Sequence, residues 1–214
     1  MRTIPLLFLL ASLWLLLSAA VPARAAGLTD DEQRWIDTGA PVLAEADALR
    51  LPLDIVVQPQ AAAGESPVAM AYVDGRCKLV LTLRGNPEAD ALLAAAPAGM
   101  AEVVMQAVLA HEVGHCWRHA QGGWQPRADG DWREEAYADL AALAWTAAHH
   151  PARYAEFHAW LLALRNTHAG SAHDTRRVLR TASEPTGFAR QAGSAFAQAQ
   201  TLWQQALLAP SRAP

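Results

Sequence analysis

The chain has 214 residues and a formal net charge of −4, with 17 Lys and Arg against 21 Asp and Glu. That balance, with no basic cluster and no interleaving of basic and aromatic residues, argues against nucleic acid as a partner. Lysine is nearly absent, with Lys78 alone.

Residues 1–25 read as a secretory signal peptide, with Arg2 as the positive start, Ile4 to Leu17 as the apolar run, and Ala23-Arg24-Ala25 as a small-x-small cleavage site. The run is shorter than the roughly 20 residues a membrane span needs. Cleavage after Ala25 leaves residues 26–214 as a single domain and takes the net charge to about −6. No later stretch approaches spanning length, so a mature chain without a membrane span is expected, secreted to a bacterial periplasm. Both cysteines, Cys77 and Cys116, lie in that part. An oxidising compartment allows a disulfide between them, closing a loop of about 39 residues. The alternative for Cys116 is a small buried hydrophobe.

Thr29-Asp30-Asp31-Glu32 is a capping-box pattern opening a helix to about Leu49, with Trp35, Ile36, Val42 and Leu43 inward and a kink expected near Pro41. Leu53–Val57 reads as a short strand, and a loop from Pro59 to Pro67 follows. Val68–Val73 and Cys77–Leu83 flank Asp74-Gly75, a hairpin signal. The three strands are expected to form a small antiparallel sheet. Asn86 to Gly99 reads as a loop or short helix.

Met100 to His119 reads as one helix, ended by Gly122-Gly123. It contains His111-Glu112-Val113-Gly114-His115. Residues four apart share a helix face, so His111 and His115 can offer two imidazole nitrogens to one cation, with Glu112 beside them within reach of a metal-bound water. Downstream, Glu134-Glu135-Ala136-Tyr137-Ala138-Asp139 opens a second helical pattern. Glu135 and Asp139 are again four apart: one can complete a His2Glu zinc site, the other can hydrogen-bond a ligand histidine. Glu134 competes with Glu135 but has no aspartate four residues on. His119 falls one turn further along the ligand face, where a helix C-terminus also favours it. Trp117, Trp124 and Trp132 cluster around the loop between the two helices. His149-His150-Pro151 ends the second helix, and Tyr154, Phe157, Trp160, Leu161 and Leu164 mark a third. His173 is expected to open another helix, and Ser183 to Leu208 to form the last.

The pair of motifs, His111-Glu112-Val113-Gly114-His115 and then Glu135-Ala136-Tyr137-Ala138-Asp139, resembles the gluzincin metallopeptidases. Its ExxAD form is similar to the branch of the CAAX prenyl protease and HtpX-type enzymes, which has soluble periplasmic relatives. The resemblance spans roughly residues 100–145. It implies an α+β, mostly helical fold with a zincin-like core and the small sheet packed on the HExxH helix. It further implies Zn2+ held by His111, His115 and Glu135, Glu112 as general base, Asp139 orienting His111, and a peptide or protein as substrate. In such peptidases the substrate extends along an edge strand, for which Lys78–Leu83 is the candidate. The resemblance also suggests His173 as a donor to the developing oxyanion and Arg176 or Arg177 as a support, although Asp174 stands where the family has proline. The same residues would also serve a non-catalytic zinc module or a hydrolase of a non-peptide amide.

Overall fold

The capping box closes at Thr29 as its spacing requires. In the computed structural model, which describes residues 27–58, 66–123, 130–189 and 192–208, helix α1 runs Asp30–Ala48. The Thr29 hydroxyl accepts from the Glu32 N–H at 3.2 Å, and the Glu32 carboxylate accepts from the Thr29 N–H at 2.7 Å. The helix continues through Pro41. Trp35 and Val42 are buried on its inner side, where Gly39 allows close approach: a Cβ there would stand 2.1 Å from Leu109 Cδ1. The expected signal peptide, residues 59–65 of the loop and Trp124 lie outside the described residues.

Three strands follow: β1 (Leu53–Val57), β2 (Val68–Val73) and β3 (Arg76–Leu81). Asp74 and Gly75, at φ 53° and 75°, make the left-handed two-residue turn that Asp-Gly favours between β2 and β3. The sheet departs from expectation in two ways. Its order is β1-β3-β2, with β1 parallel and β2 antiparallel to β3, so it is mixed rather than antiparallel. The candidate edge, Lys78–Leu83, therefore supplies the central strand. Alternation along a strand reports which face is buried and not which strands lie beside it. The hairpin turn commits one side of β3 to β2, and β1 takes the other.

Helix α2 (Pro87–Ala94) is capped by the Asn86 side chain, which accepts from the Glu88 N–H. The centre of the fold is helix α3 (Ala101–Ala120) against α4 (Gly130–His149). Residues 136 to 146 of α4 are all buried, which small side chains such as Ala138, Ala141 and Ala142 permit. Gly114 brings the two helices together at the motif itself, since a Cβ there would meet Ala141 Cβ at 3.0 Å. Helix α5 (Tyr154–Asn166) packs on α4. The helix expected from His173 shrinks to α6, Arg176–Leu179, and the expected final helix is split into α7 (Thr186–Ala189) and α8 (Ala195–Leu208), with Gly193 at φ 99° between them. Helix α8 lies along α4. The result is a mostly helical α+β fold with a small sheet. Among the described residues no helix is long and apolar enough to cross a membrane.

A disulfide joins Cys77 of β3 to Cys116 of α3, with both side chains buried. It fastens the sheet to the helix one residue past His115. Closing a loop with a sequence separation of 39 is worth about 3–4 kcal/mol in the chain-entropy account. Replacing both cysteines by serine is expected to lower the thermal midpoint by about 10 °C, read by circular dichroism. An unchanged midpoint would contradict this.

Candidate metal centre

Two helices carry the polar cluster inside otherwise apolar packing. On α3, His111 and His115 stand one turn apart with their rings edge to face, 4.8 Å between centroids. Their Nε2 atoms are 3.2 Å apart. On α4, Glu135 presents Oε2 at 3.4 Å from His111 Nε2 and Oε1 at 3.5 Å from His115 Nε2. Among the described residues, these three side chains form a group that could hold a metal ion, each offering an atom within 4.8 Å of the others.

Asp139, one turn along α4 from Glu135, is fully buried and faces the opposite side of the His111 ring, with Oδ1 3.0 Å from Nδ1. Its remaining valences are taken by residues that the motif does not mention. Arg165 of α5 donates from Nε to Oδ2 at 2.8 Å and from Nη2 to Oδ1 at 2.5 Å. The buried Thr175 hydroxyl donates to Oδ2 at 2.5 Å. Asp139 is thus a junction of α3, α4, α5 and the segment preceding α6.

The electrostatics follow from this enclosure. Burial alone pushes the His111 imidazole down, but hydrogen bonds to Asp139 and Glu135 outweigh it and hold its pKa at about 10. Burial also opposes ionisation of Glu135, yet His111, His115 and His173 hold its carboxyl well below the usual range. Asp139 is likewise buried, and Arg165 with His111 keeps it low. The cluster thus favours positive charge between two carboxylates. Glu112 behaves oppositely: burial raises its carboxyl, against the pull of His111 and His115.

Glu112 and His111 line a cleft of about 670 Å³. Val108, Phe157, Trp160, Leu161 and Leu164 give it apolar walls, Leu92 of α2 adds to them, and Pro67 and Val68 bring the start of β2 to its margin. His173 is also part of this cleft, half exposed, with Nδ1 2.8 Å from Glu135 Oε2. It reaches the centre from a turn rather than from the first turn of a helix.

The other sequence candidates sit elsewhere. Glu134 is buried and accepts from Arg118 at 2.7 and 3.2 Å, whereas Glu135 is the glutamate that faces the two histidines. His119 stacks on Tyr72 of β2 at 3.6 Å between centroids. His149 stacks on Trp145, and His150 Nε2 lies 2.8 Å from Gln106 Oε1. Arg176 is held by Asp174, and the Arg177 guanidinium lies 5.7 Å over the Trp132 ring.

Arg165 had a readable signal. It falls on the apolar stripe of α5 with Tyr154, Phe157 and Leu161, and an arginine on a buried face calls for a buried partner. Thr175 carried none. Replacing Arg165 by Met, which keeps the stem and removes the fork, is expected to weaken metal binding by about 10–100-fold, measured by competition with a chelator. Unchanged affinity would mean that Asp139 orients His111 unaided.

Comparison with protein-family profiles, curated proteins and solved structures gives no match.

Proposed function

We propose that this chain is a zinc-dependent metallopeptidase of the gluzincin kind, built on a zincin-like core and acting on peptides or proteins in the periplasm. The observation that carries the reading is the convergence of His111, His115 and Glu135, with Asp139 behind His111 and Glu112 on the adjoining cleft. The donor set fits zinc. Two imidazole Nε2 atoms stand 3.2 Å apart, and one carboxylate faces them with Oε2 3.4 Å from the first and Oε1 3.5 Å from the second, nitrogen and oxygen donors of the kind zinc takes.

Zinc held there would supply Lewis acidity and bring the pKa of a bound water down to about 7. The protein's own groups do the rest. Asp139, clamped by Arg165 and Thr175, accepts from His111 Nδ1 and so leaves the Nε2 lone pair for the metal. Glu112 takes the proton of the attacking water, and its burial makes it a stronger base than an exposed carboxylate. It then passes that proton to the departing amine nitrogen. His173 stands at the mouth, where it can hydrogen-bond the carbonyl oxygen as charge develops. The outer edge of β2 has no further strand among the described residues, and its start lies at the cleft. An extended substrate backbone can add there, a role that passes from Lys78–Leu83 to Val68–Val73.

The test is cleavage of unfolded casein by the zinc-loaded mature chain. Activity removed by a chelator and restored by zinc is expected. Stoichiometric zinc with no cleavage of casein or of a peptide library would instead indicate a metal-binding module without catalysis.

A further inference from the structure

A second cleft, of about 560 Å³, is lined in part by Asp174 and Arg176, chain neighbours of His173 and Thr175. Its walls bring together Arg133 of α4, Arg176 and Arg177 of α6, Arg180 just after α6, Trp132 and Leu207. Asp174 is the one carboxylate among the described lining residues. It is already committed, accepting from Arg176 at 2.6 and 2.8 Å and from the Gly170 N–H at 3.1 Å. On a chain of net charge −4, this concentration of guanidinium runs against the overall balance.

The cleft is coupled to the metal centre through four consecutive residues. His173 touches Glu135 and Thr175 touches Asp139, while Asp174 and Arg176 line the arginine cleft. The Asp174 carbonyl also accepts from Trp132 Nε1 at 2.9 Å, pinning the segment to α4. The segment from His173 to Arg176 is thus shared by the linings and contacts of both clefts.

Resting on the peptidase reading, we propose that this cleft is an exosite for an acidic stretch of the substrate, flanking the residues that are cut. Guanidinium forks match carboxylates in bidentate pairs, and Trp132 and Leu207 offer apolar surface to the stems of Asp and Glu side chains.

The test compares two peptides with the same cleavable core, one extended by four glutamates and one by four glutamines, using the zinc-loaded mature chain. A preference for the acidic peptide of about 10-fold or more in kcat/KM, carried by KM, is expected at low salt and should shrink at high salt. In the Arg133→Gln, Arg180→Gln double variant the ratio should fall toward one. A parallel arm measures binding of a fluorescent hexaglutamate by anisotropy, with inorganic phosphate as competitor. Hexaglutamate bound by the wild type and not by the double variant, without any peptide being cut, would support the acidic-peptide site while removing the peptidase reading. Equal cleavage of both peptides would overturn the exosite alone, as would phosphate displacing hexaglutamate at micromolar concentration.

Discussion

Glu112→Gln is expected to lower kcat by about 10²–10⁴-fold, the range supplied by a positioned general base, while zinc content stays at that of the wild type. The amide keeps the size of the carboxylate and lines the same cleft, but it cannot accept a proton from water. Glu112 is not among the three groups that converge on the ion position, so nothing in the change weakens binding of the metal. KM should move little, because the lost interaction belongs to proton transfer. Steady-state kinetics on a peptide, with zinc measured on the same samples, checks both parts. Loss of zinc, or a rate within a few-fold of wild type, would count against the assigned role.

Glu135→Ala is expected to act on the metal instead. It removes the one carboxylate facing both His111 Nε2 and His115 Nε2. Zinc affinity should fall by more than the roughly 10–100-fold typical of outer partners, and activity should fall with it. The neighbouring Glu134→Ala is the informative control. Glu134 accepts twice from Arg118, and the pair is buried. Its loss leaves a buried guanidinium short of its counter-charge and should cost about 3–5 kcal/mol of stability, with zinc affinity preserved. Chelator competition and thermal melts separate the two outcomes. Zinc bound at wild-type affinity by Glu135→Ala would overturn the ligand assignment.

What the sequence made legible was local. The two i, i+4 pairs, the Thr29 capping box and the Asp74-Gly75 turn each depend on residues within a few positions of one another, and backbone geometry translates such spacing directly. Beyond the Cys77–Cys116 bridge and the His111, His115 and Glu135 group, partners set by tertiary packing were not legible. The parallel pairing of β1 with β3 joins segments more than twenty residues apart, and neither strand's alternation names its neighbour. Arg165 and Thr175 lie 26 and 36 residues beyond Asp139, and only the docking of α5 and the turn before α6 on α4 brings them to its carboxylate. The partition of Glu134 and Glu135 likewise waited on Arg118, which lies on α3. The break falls at Gly193-Ser194, a pair of weak helix formers that the alanine- and glutamine-rich composition around it obscures.

The most direct test is the zinc content and X-ray absorption spectrum of residues 26–214, purified without chelators. One zinc per chain is predicted, with two imidazoles and light oxygen donors at about 2.0–2.1 Å and no sulfur. Absence of stoichiometric metal, or a sulfur shell near about 2.3 Å, would contradict a centre built from His111, His115 and Glu135.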